Sequence, residues 1–261
     1  MKIRNQIEYC VSGNYALFSD PITRMGGEKF SYMLPTYQAL KGITESVYWK
    51  PSIIWIVDEI RIMKPIRTES KNVRPISYVA LKNTLSVYTY LADVSYQVRA
   101  HFIFNENRRE ELGQDFNEIK HHNIAKRMVE KGGRRDIFLG TRECQGYVEP
   151  CAFGEGESYY DRYGELEFGV MFHGFDYPDE TGQDILAARF WRPKMLNGVV
   201  QFLPPEEIPE EMKRNIRPMK VKKFDEKFGN FSGLKEETLQ REFAWEGGEM
   251  NGVDAEIMRG V

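Results

Sequence analysis

Hydrophobic and polar positions along the chain alternate in a way that sorts it into strands and helices. Residues 3–18 alternate loosely and are rich in β-branched and aromatic side chains, which predicts a first strand. Pro35 and Thr36 open a helix whose apolar stripe is Tyr37, Leu40, Thr44, Val47 and Tyr48, and Lys50-Pro51 closes it. Residues 52–63 form a near-continuous apolar run, a second strand. Over residues 93–104 the alternation is clean. Val94, Tyr96, Val98, Ala100, Phe102 and Phe104 share one face, and Gln97, Arg99 and His101 the other. A second helix follows a cap at Asp115 or Asn117, and residues 144–153 read as a fourth strand. The order is strand, helix, strand, strand, helix, strand, the α+β ferredoxin-like (RRM-like) βαββαβ pattern, expected over residues 1–153.

Beyond it, residues 166–176 and 185–191 flank the turn sequence YPDETG, and residues 199–203 follow Asn197-Gly198, a hairpin signal. Residues 154–205 are therefore expected to form a small antiparallel β-sheet. Residues 206–261 mix charge with scattered glycine and predict a loosely ordered tail, with short helices near 236–245.

The chain has 261 residues and a net charge of −3, a weak argument against nucleic acid until the charge is divided. Residues 206–261 carry that whole excess of acid, and the rest is balanced. Within residues 120–142, seven cations (Lys120, Lys126, Arg127, Lys131, Arg134, Arg135, Arg142) face only Glu130 and Asp136. Arg61, Lys64, Arg67, Lys71 and Arg74 face only Glu69, and read equally well as a solvated face or a grip on a phosphate backbone. Arg24 and Lys29 flank Gly26-Gly27, a pair that either offers amides to a phosphate or simply turns. Three cysteines without a CxxC pair argue for reduced thiols, a cytoplasmic location, and against structural zinc. The N-terminal residues have no signal-peptide pattern, and no apolar run is long enough to span a membrane.

Histidines cluster only at His121-His122, beside Lys120. At about 100° per residue, Lys120 and His122 point about 200° apart. His121 aligns with Ile124, Ala125 and Met128 on the packing face. A histidine set in a positive field suits cleavage of an anionic polymer, because RNA carries its own 2′-hydroxyl nucleophile and needs only proton transfer and a cation. The plainer readings are a buried, satisfied His121 and a core Tyr48. His173, Asp176, Asp179 and Glu180 are metal-ligand types, but their sequence is turn chemistry, so no metal or other cofactor is expected.

The segments GNYALFSDPITRMGGEKFSY, PTYQALKGITESVYWKP, GGRRDIFLGTRECQGYVEPC, HGFDYPDETG and NGVVQF resemble the CRISPR-associated RAMP proteins of the type I-C (Dvulg) subtype. The resemblance implies a metal-independent endoribonuclease that cuts CRISPR precursor RNA within its repeats, at the base of a hairpin. A candidate site rich in cation and imidazole and poor in carboxylate metal ligands adds the expectation of 2′-hydroxyl attack and a 2′,3′-cyclic phosphate product. The resemblance also implies that the protein stays on the 5′ handle of the guide, beside the backbone and large subunits of an interference complex; double-stranded DNA is a second candidate nucleic acid. By the same resemblance the catalytic residues fall on Tyr48, Lys120 and His121. Arg24, Lys29, Arg61, Lys64, Arg67, Arg134 and Arg135 are the RNA-binding candidates. The alternative is a non-catalytic scaffold that caps the guide.

Overall fold

A computed structural model of the chain describes residues 5–20, 28–77, 82–221, 223–224 and 231–232. The first of its two compact units, Met1–Met219, is an α+β body built on a large antiparallel sheet and a small three-stranded one. Four strands form the centre of the large sheet: β1 (Gln6–Ala16), β3 (Ile53–Ile62), β7 (Ser86–Phe104) and β9 (Gln145–Pro150). They lie in the order β3-β7-β1-β9 with every pairing antiparallel. Tyr9 stands opposite Val98, and Trp55 opposite Phe102. Strand β7 is long because its first half leaves this centre to pair with β2 (Lys29–Phe30) and β4 (Thr68–Val73).

Two helices cover one face. Helix α1 (Tyr37–Val47) starts where the Thr36 hydroxyl accepts the Ala39 N–H at 3.1 Å, a cap of about 1 kcal/mol. It buries Tyr37, Leu40, Ile43, Thr44 and Val47. Helix α2 is one turn (Arg109–Leu112). Helix α3 (Glu118–Glu130) is capped by Asn117, which accepts the Lys120 N–H at 3.0 Å, and it buries His121, Ala125 and Val129 at four-residue spacing. Trp55, Tyr9, Tyr37, Tyr48 and Phe102 are the largest side chains in the core beneath. Each such burial contributes about 1.5–3 kcal/mol.

Three sequence expectations need correction. First, residues 154–205 divide between the two sheets: β11 (Met171–Asp176) and β12 (Ile185–Trp191) form part of the small antiparallel sheet as expected, and the rest does not. β10 (Glu165–Glu167), β13 (Lys194–Leu196) and β14 (Val199–Gln201) extend the large sheet, because β14 pairs with β3. The Asn197-Gly198 hairpin does form, with φ of +48° and +82°, as a type I′ turn requires. Second, β11 (Met171–Asp176) and β12 (Ile185–Trp191) flank YPDETG as expected, but Pro178–Thr181 is a one-turn helix, α4. Third, the expected tail contributes a strand, β15 (Lys213–Pro218), which completes the small sheet against β12. Its sequence KRNIRP has no apolar alternation, because most of its side chains are exposed. In residues 220–261 the described portion is a short antiparallel pair, Lys223–Phe224 with Phe231–Ser232. The helices expected near 236–245 lie outside the described residues.

Candidate active site

The chain brings the ends of its two main helices to one place. Helix α1 stops at Tyr48, which is extended (φ −157°, ψ 127°) and returns its N–H to the Thr44 carbonyl. This carries the Tyr48 ring under the first turn of α3. Trp55 on β3 donates its indole N–H to the Tyr48 carbonyl at 2.7 Å and fixes the exit from the helix.

The exit of α3 is equally specific. Gly132 and Gly133, both at positive φ, return their N–H groups to Val129 and Met128. This glycine stop caps the last carbonyls of α3. The chain then turns so that the Arg134 and Arg135 N–H groups donate to the Ser46 and Val47 carbonyls. The turn that ends α3 therefore caps α1, and it sets the Arg134 charge within electrostatic reach of Tyr48.

At the junction the Tyr48 hydroxyl and His121 Nδ1 are 2.7 Å apart. His121 Nε2 lies 2.7 Å from the backbone carbonyl oxygen of Asp115. A carbonyl oxygen only accepts, so Nε2 carries a proton and donates it. In the neutral ring Nδ1 is then bare, and it accepts the Tyr48 O–H. The Asp115 carboxylate completes the group. Its Oδ2 accepts from Ser52 Oγ at 2.6 Å, its Oδ1 accepts from Lys120 Nζ, and Oδ2 lies 3.4 Å from His121 Nε2.

Burial, and after it the Asp115 charge, push the Tyr48 hydroxyl up to about 12 while Arg134 pulls the other way. Tyrosinate at pH 7 is then on the order of 10⁻⁵ of the population. Tyr48 is thus a poor base alone, and its proton has a ready acceptor only in His121. Burial also pulls the Asp115 carboxyl up. The hydrogen bonds from Lys120 and Ser52, with the His121 and Lys120 charges, outweigh it, and Asp115 stays below its ordinary value.

The structure brings Tyr48, Lys120 and His121 together. It separates His122, whose Nε2 bonds to the Gln6 carbonyl at 3.1 Å, facing β1. Sequence reading missed Asp115 as part of the site: it had offered that residue as a helix cap, and Asn117 takes that role. It also missed Ser52, the first residue of an apolar run.

The cation candidates scatter. Arg134 and Arg135 are exposed and, among the described residues, have no ion-pair partner. Lys29 lies 4.6 Å above the Tyr88 ring, Lys64 pairs with Asp93 at 2.6 Å, and Arg67 is exposed ahead of β4. Arg61 is a correction. It is only 6% exposed, and its guanidinium is spent on Asp161 at 2.7 Å and on the Glu155 and Gly156 carbonyls. A member of a charge run that turns inward must be paired, and here both terminal guanidinium nitrogens are already engaged inside the protein. Arg24 lies outside the described residues.

The metal-ligand types near the YPDETG turn are dispersed. Asp176 pairs with Arg189, Glu180 with Lys41, and His173 is buried against the Tyr37 ring. Among the described residues no group of three or more His, Cys, Asp or Glu side chains is placed to hold a metal. Cys10, Cys144 and Cys151 are free thiols. No helix among the described residues is long and apolar enough to cross a membrane.

Comparison with known proteins gives this geometry a family. A curated relative from Mannheimia succiniciproducens, "CRISPR pre-crRNA endoribonuclease Cas5d", is 29% identical over 240 residues, 80% of this chain and 99% of that protein. A protein of the same name from Thermus thermophilus is 28% identical over 54% of this chain and 62% of its own length. A crystal structure of a CRISPR-associated protein matches with a TM-score of 0.67 and 36% identity, covering 80% of this chain and 96% of that one. A functionally uncharacterized protein from Streptococcus mutans matches at 0.65 and 39% over the same shares. The model of the CRISPR-associated protein family Cas5d (Cas_Cas5) matches residues 7–203, about three quarters of the sequence. The chain, with its Cas5 fold, belongs to the Cas5d family of CRISPR-associated proteins.

Proposed function

We propose that this protein is a CRISPR pre-crRNA endoribonuclease that cuts repeat RNA without a metal ion, by attack of a 2′-hydroxyl on the adjacent phosphate. The observation that carries the reading is the bond from Tyr48 to a tautomer-fixed His121 beside Lys120. As the 2′-oxygen attacks phosphorus, its proton passes to the Tyr48 oxygen and the Tyr48 proton passes to His121 Nδ1. The relay needs no free tyrosinate and leaves an imidazolium next to Asp115. Lys120 supplies positive charge to the pentacoordinate phosphorane, and the departing 5′-oxygen takes up a proton from solvent, to which the imidazolium later returns the one it received. The products are a 2′,3′-cyclic phosphate upstream and a 5′-hydroxyl downstream. The donor set supports metal independence: an imidazole, a phenol and an ammonium share one carboxylate, which is already bonded to Ser52 and Lys120.

The name borne by the curated relatives supports the substrate class. The order β1-α1-β3-β7-α3-β9, with spatial order β3-β7-β1-β9, supports a ferredoxin-like reading of the centre. Retention on the 5′ handle of the guide, cleavage at a hairpin base and a place in a type I-C complex complete the proposal.

The test is purified protein with a CRISPR repeat RNA in excess chelator. Cleavage is expected, and a single 2′-deoxy substitution upstream of the scissile bond is expected to block it. Normal cleavage of the deoxy substrate overturns the 2′-hydroxyl mechanism, and cleavage lost in chelator overturns the metal-free one. One observation favours the scaffold alternative: Tyr48 is 2% exposed and His121 0%. Retention of the repeat without cutting would select it.

A further inference from the structure

Asp115 touches His121 and Lys120 and acts electrostatically on Tyr48, although it is neither a helix cap nor part of the core. We propose that Asp115 is the positioning residue of the reaction: its backbone carbonyl sets the His121 tautomer, and its carboxylate holds Lys120 in reserve until an RNA phosphate draws the ammonium away. The proposal rests on the Tyr48–His121–Lys120 reading above.

Asp115 closes a short helical turn, Gly113–Asp115, ahead of α3. Its carbonyl oxygen accepts two hydrogen bonds, from the Asn117 N–H at 2.8 Å and from His121 Nε2 at 2.7 Å. Both lone pairs are used, so the carbonyl direction is fixed by the backbone at one side and the imidazole at the other. A ring held this way cannot present a protonated Nδ1 while neutral. That is the condition for Nδ1 to accept the Tyr48 proton.

The carboxylate has a second task. Lys120 is half exposed, and the side chain reaches back to Asp115 instead of extending into solvent. An RNA phosphate at the site offers the ammonium an alternative anion. When Lys120 leaves, Asp115 keeps the Ser52 hydroxyl on Oδ2 and is not stranded. The same oxygen already lies 3.4 Å from Nε2, so the released charge faces the imidazolium as it forms. Loading the cation onto the substrate and stabilising the protonated histidine thus become one movement. The Ser52 bond spans 63 residues of sequence, from the start of β3 to the turn before α3, and ties the site to the sheet.

The test is single-turnover cleavage of a CRISPR repeat RNA across pH by full-length Asp115→Asn, with RNA affinity and melting temperature measured alongside and His121→Ala as companion. Asparagine keeps the shape and the backbone carbonyl and removes the charge. The expected result is RNA affinity no weaker than wild type, a rate at least about tenfold lower, and a pH–rate profile displaced to lower pH. The displacement follows from the geometry: the carboxylate 3.4 Å from Nε2 is the charge that faces the imidazolium as it forms, and asparagine removes it while Tyr48 and Arg134 stay in place, so the proton is held less tightly. A lowered melting temperature with an unmoved profile would make Asp115 a structural brace and overturn the proposal. A wild-type rate and profile in Asp115→Asn, with His121→Ala inactive, overturns the role of Asp115 alone. Wild-type cleavage by His121→Ala overturns the underlying site. If Asp115→Asn does not fold, Ser52→Ala keeps the charge and loosens the carboxylate. A several-fold slower rate at unchanged affinity is expected there, and a wild-type rate overturns the proposal.

Discussion

Helix α1 has a tyrosine–histidine pair at each end, and the two are built differently. At its start Tyr37 stacks on His173 with ring centroids 4.3 Å apart, and no hydrogen bond among the described residues joins them. At its end Tyr48 and His121 meet edge to edge through a 2.7 Å hydrogen bond, with their rings tilted and 5.9 Å apart. His173 gives Nε2–H to the Leu203 carbonyl at 3.1 Å, and the Arg189 guanidinium points at its Nδ1. Burial and the Arg189 charge push His173 down to about 3, so this ring stays neutral. The charge beside His121 is a carboxylate, near Nε2, and the charge beside His173 is a guanidinium, at Nδ1. Both histidines are fully buried, so burial does not separate packing from chemistry. The separation comes from what the bare nitrogen faces, a hydroxyl proton or a permanent cation, and from whether a mobile charge such as Lys120 stands at the edge.

The largest expected effect that could break this contrast comes from matched substitutions. Tyr48→Phe is expected to slow repeat cleavage by about 10²–10⁴, the range for loss of a positioned proton-transfer group. It also strips His121 Nδ1 of its donor, at a cost of about 1–3 kcal/mol in stability. Tyr37→Phe should leave the cleavage rate within about twofold. Equal losses in the two variants would show that the α1 tyrosines serve packing alone.

The next effect is on acid stability. His173 binds its proton near pH 3 in the folded state and at its ordinary value of 6.5 when unfolded. The unfolded chain therefore takes up more protons between these values. Stability is lost as pH falls through the window, by a few kcal/mol. His173→Gln should flatten the fall in melting temperature between pH 6.5 and pH 4 while cleavage at neutral pH persists. An unchanged slope would mean that His173 is not held neutral by its surroundings.

A smaller effect lies between the two pairs. Glu45, on α1, is pushed up to about 7 by burial, with Glu180 and Asp179 adding to the shift and Lys41 opposing it. The folded state keeps a proton that the unfolded chain loses above its ordinary 4.5, so stability declines as pH rises from 4.5 to 7. Glu45→Gln should raise stability at pH 8 by about 1–2 kcal/mol and change little at pH 4. Melting curves at the two pH values decide it.

The smallest expected change is at the basic turn. If Arg134 and Arg135 hold phosphates, the Arg134→Ala/Arg135→Ala variant should flatten the slope of log K against log salt by roughly 1.4. An unchanged slope with a lowered melting temperature would leave them as braces of the α1 terminus.

The parts of this molecule that were legible in its sequence are those governed by neighbours in the chain. Thr36 and Asn117 cap helices as their residue types suggest, Asn197-Gly198 turns a hairpin, and the helical angle alone preferred His121 to His122. What sequence hid depends on partners far away. Asp115 looked like a cap because its true partner, Ser52, lies 63 positions earlier. Arg61 looked like a surface cation because its acid, Asp161, lies 100 positions later. The pairing of Val199 with Arg61, which merges residues 194–201 into the large sheet, is equally remote. The resemblance of long segments to a known family marked Tyr48, Lys120 and His121 before any of these contacts could be read. A hydrogen bond joins two of the three residues so marked, Tyr48 and His121.

Which histidine receives the proton is addressed directly by adjacent substitutions. In single-turnover cleavage of a CRISPR repeat RNA, His121→Ala should lose about 10²–10⁴ in rate with RNA affinity intact. His122→Ala, which removes only the bond to the Gln6 carbonyl, should cut at nearly the wild-type rate. Cleavage abolished in His122→Ala and retained in His121→Ala would contradict the assignment of the Tyr48–His121 pair.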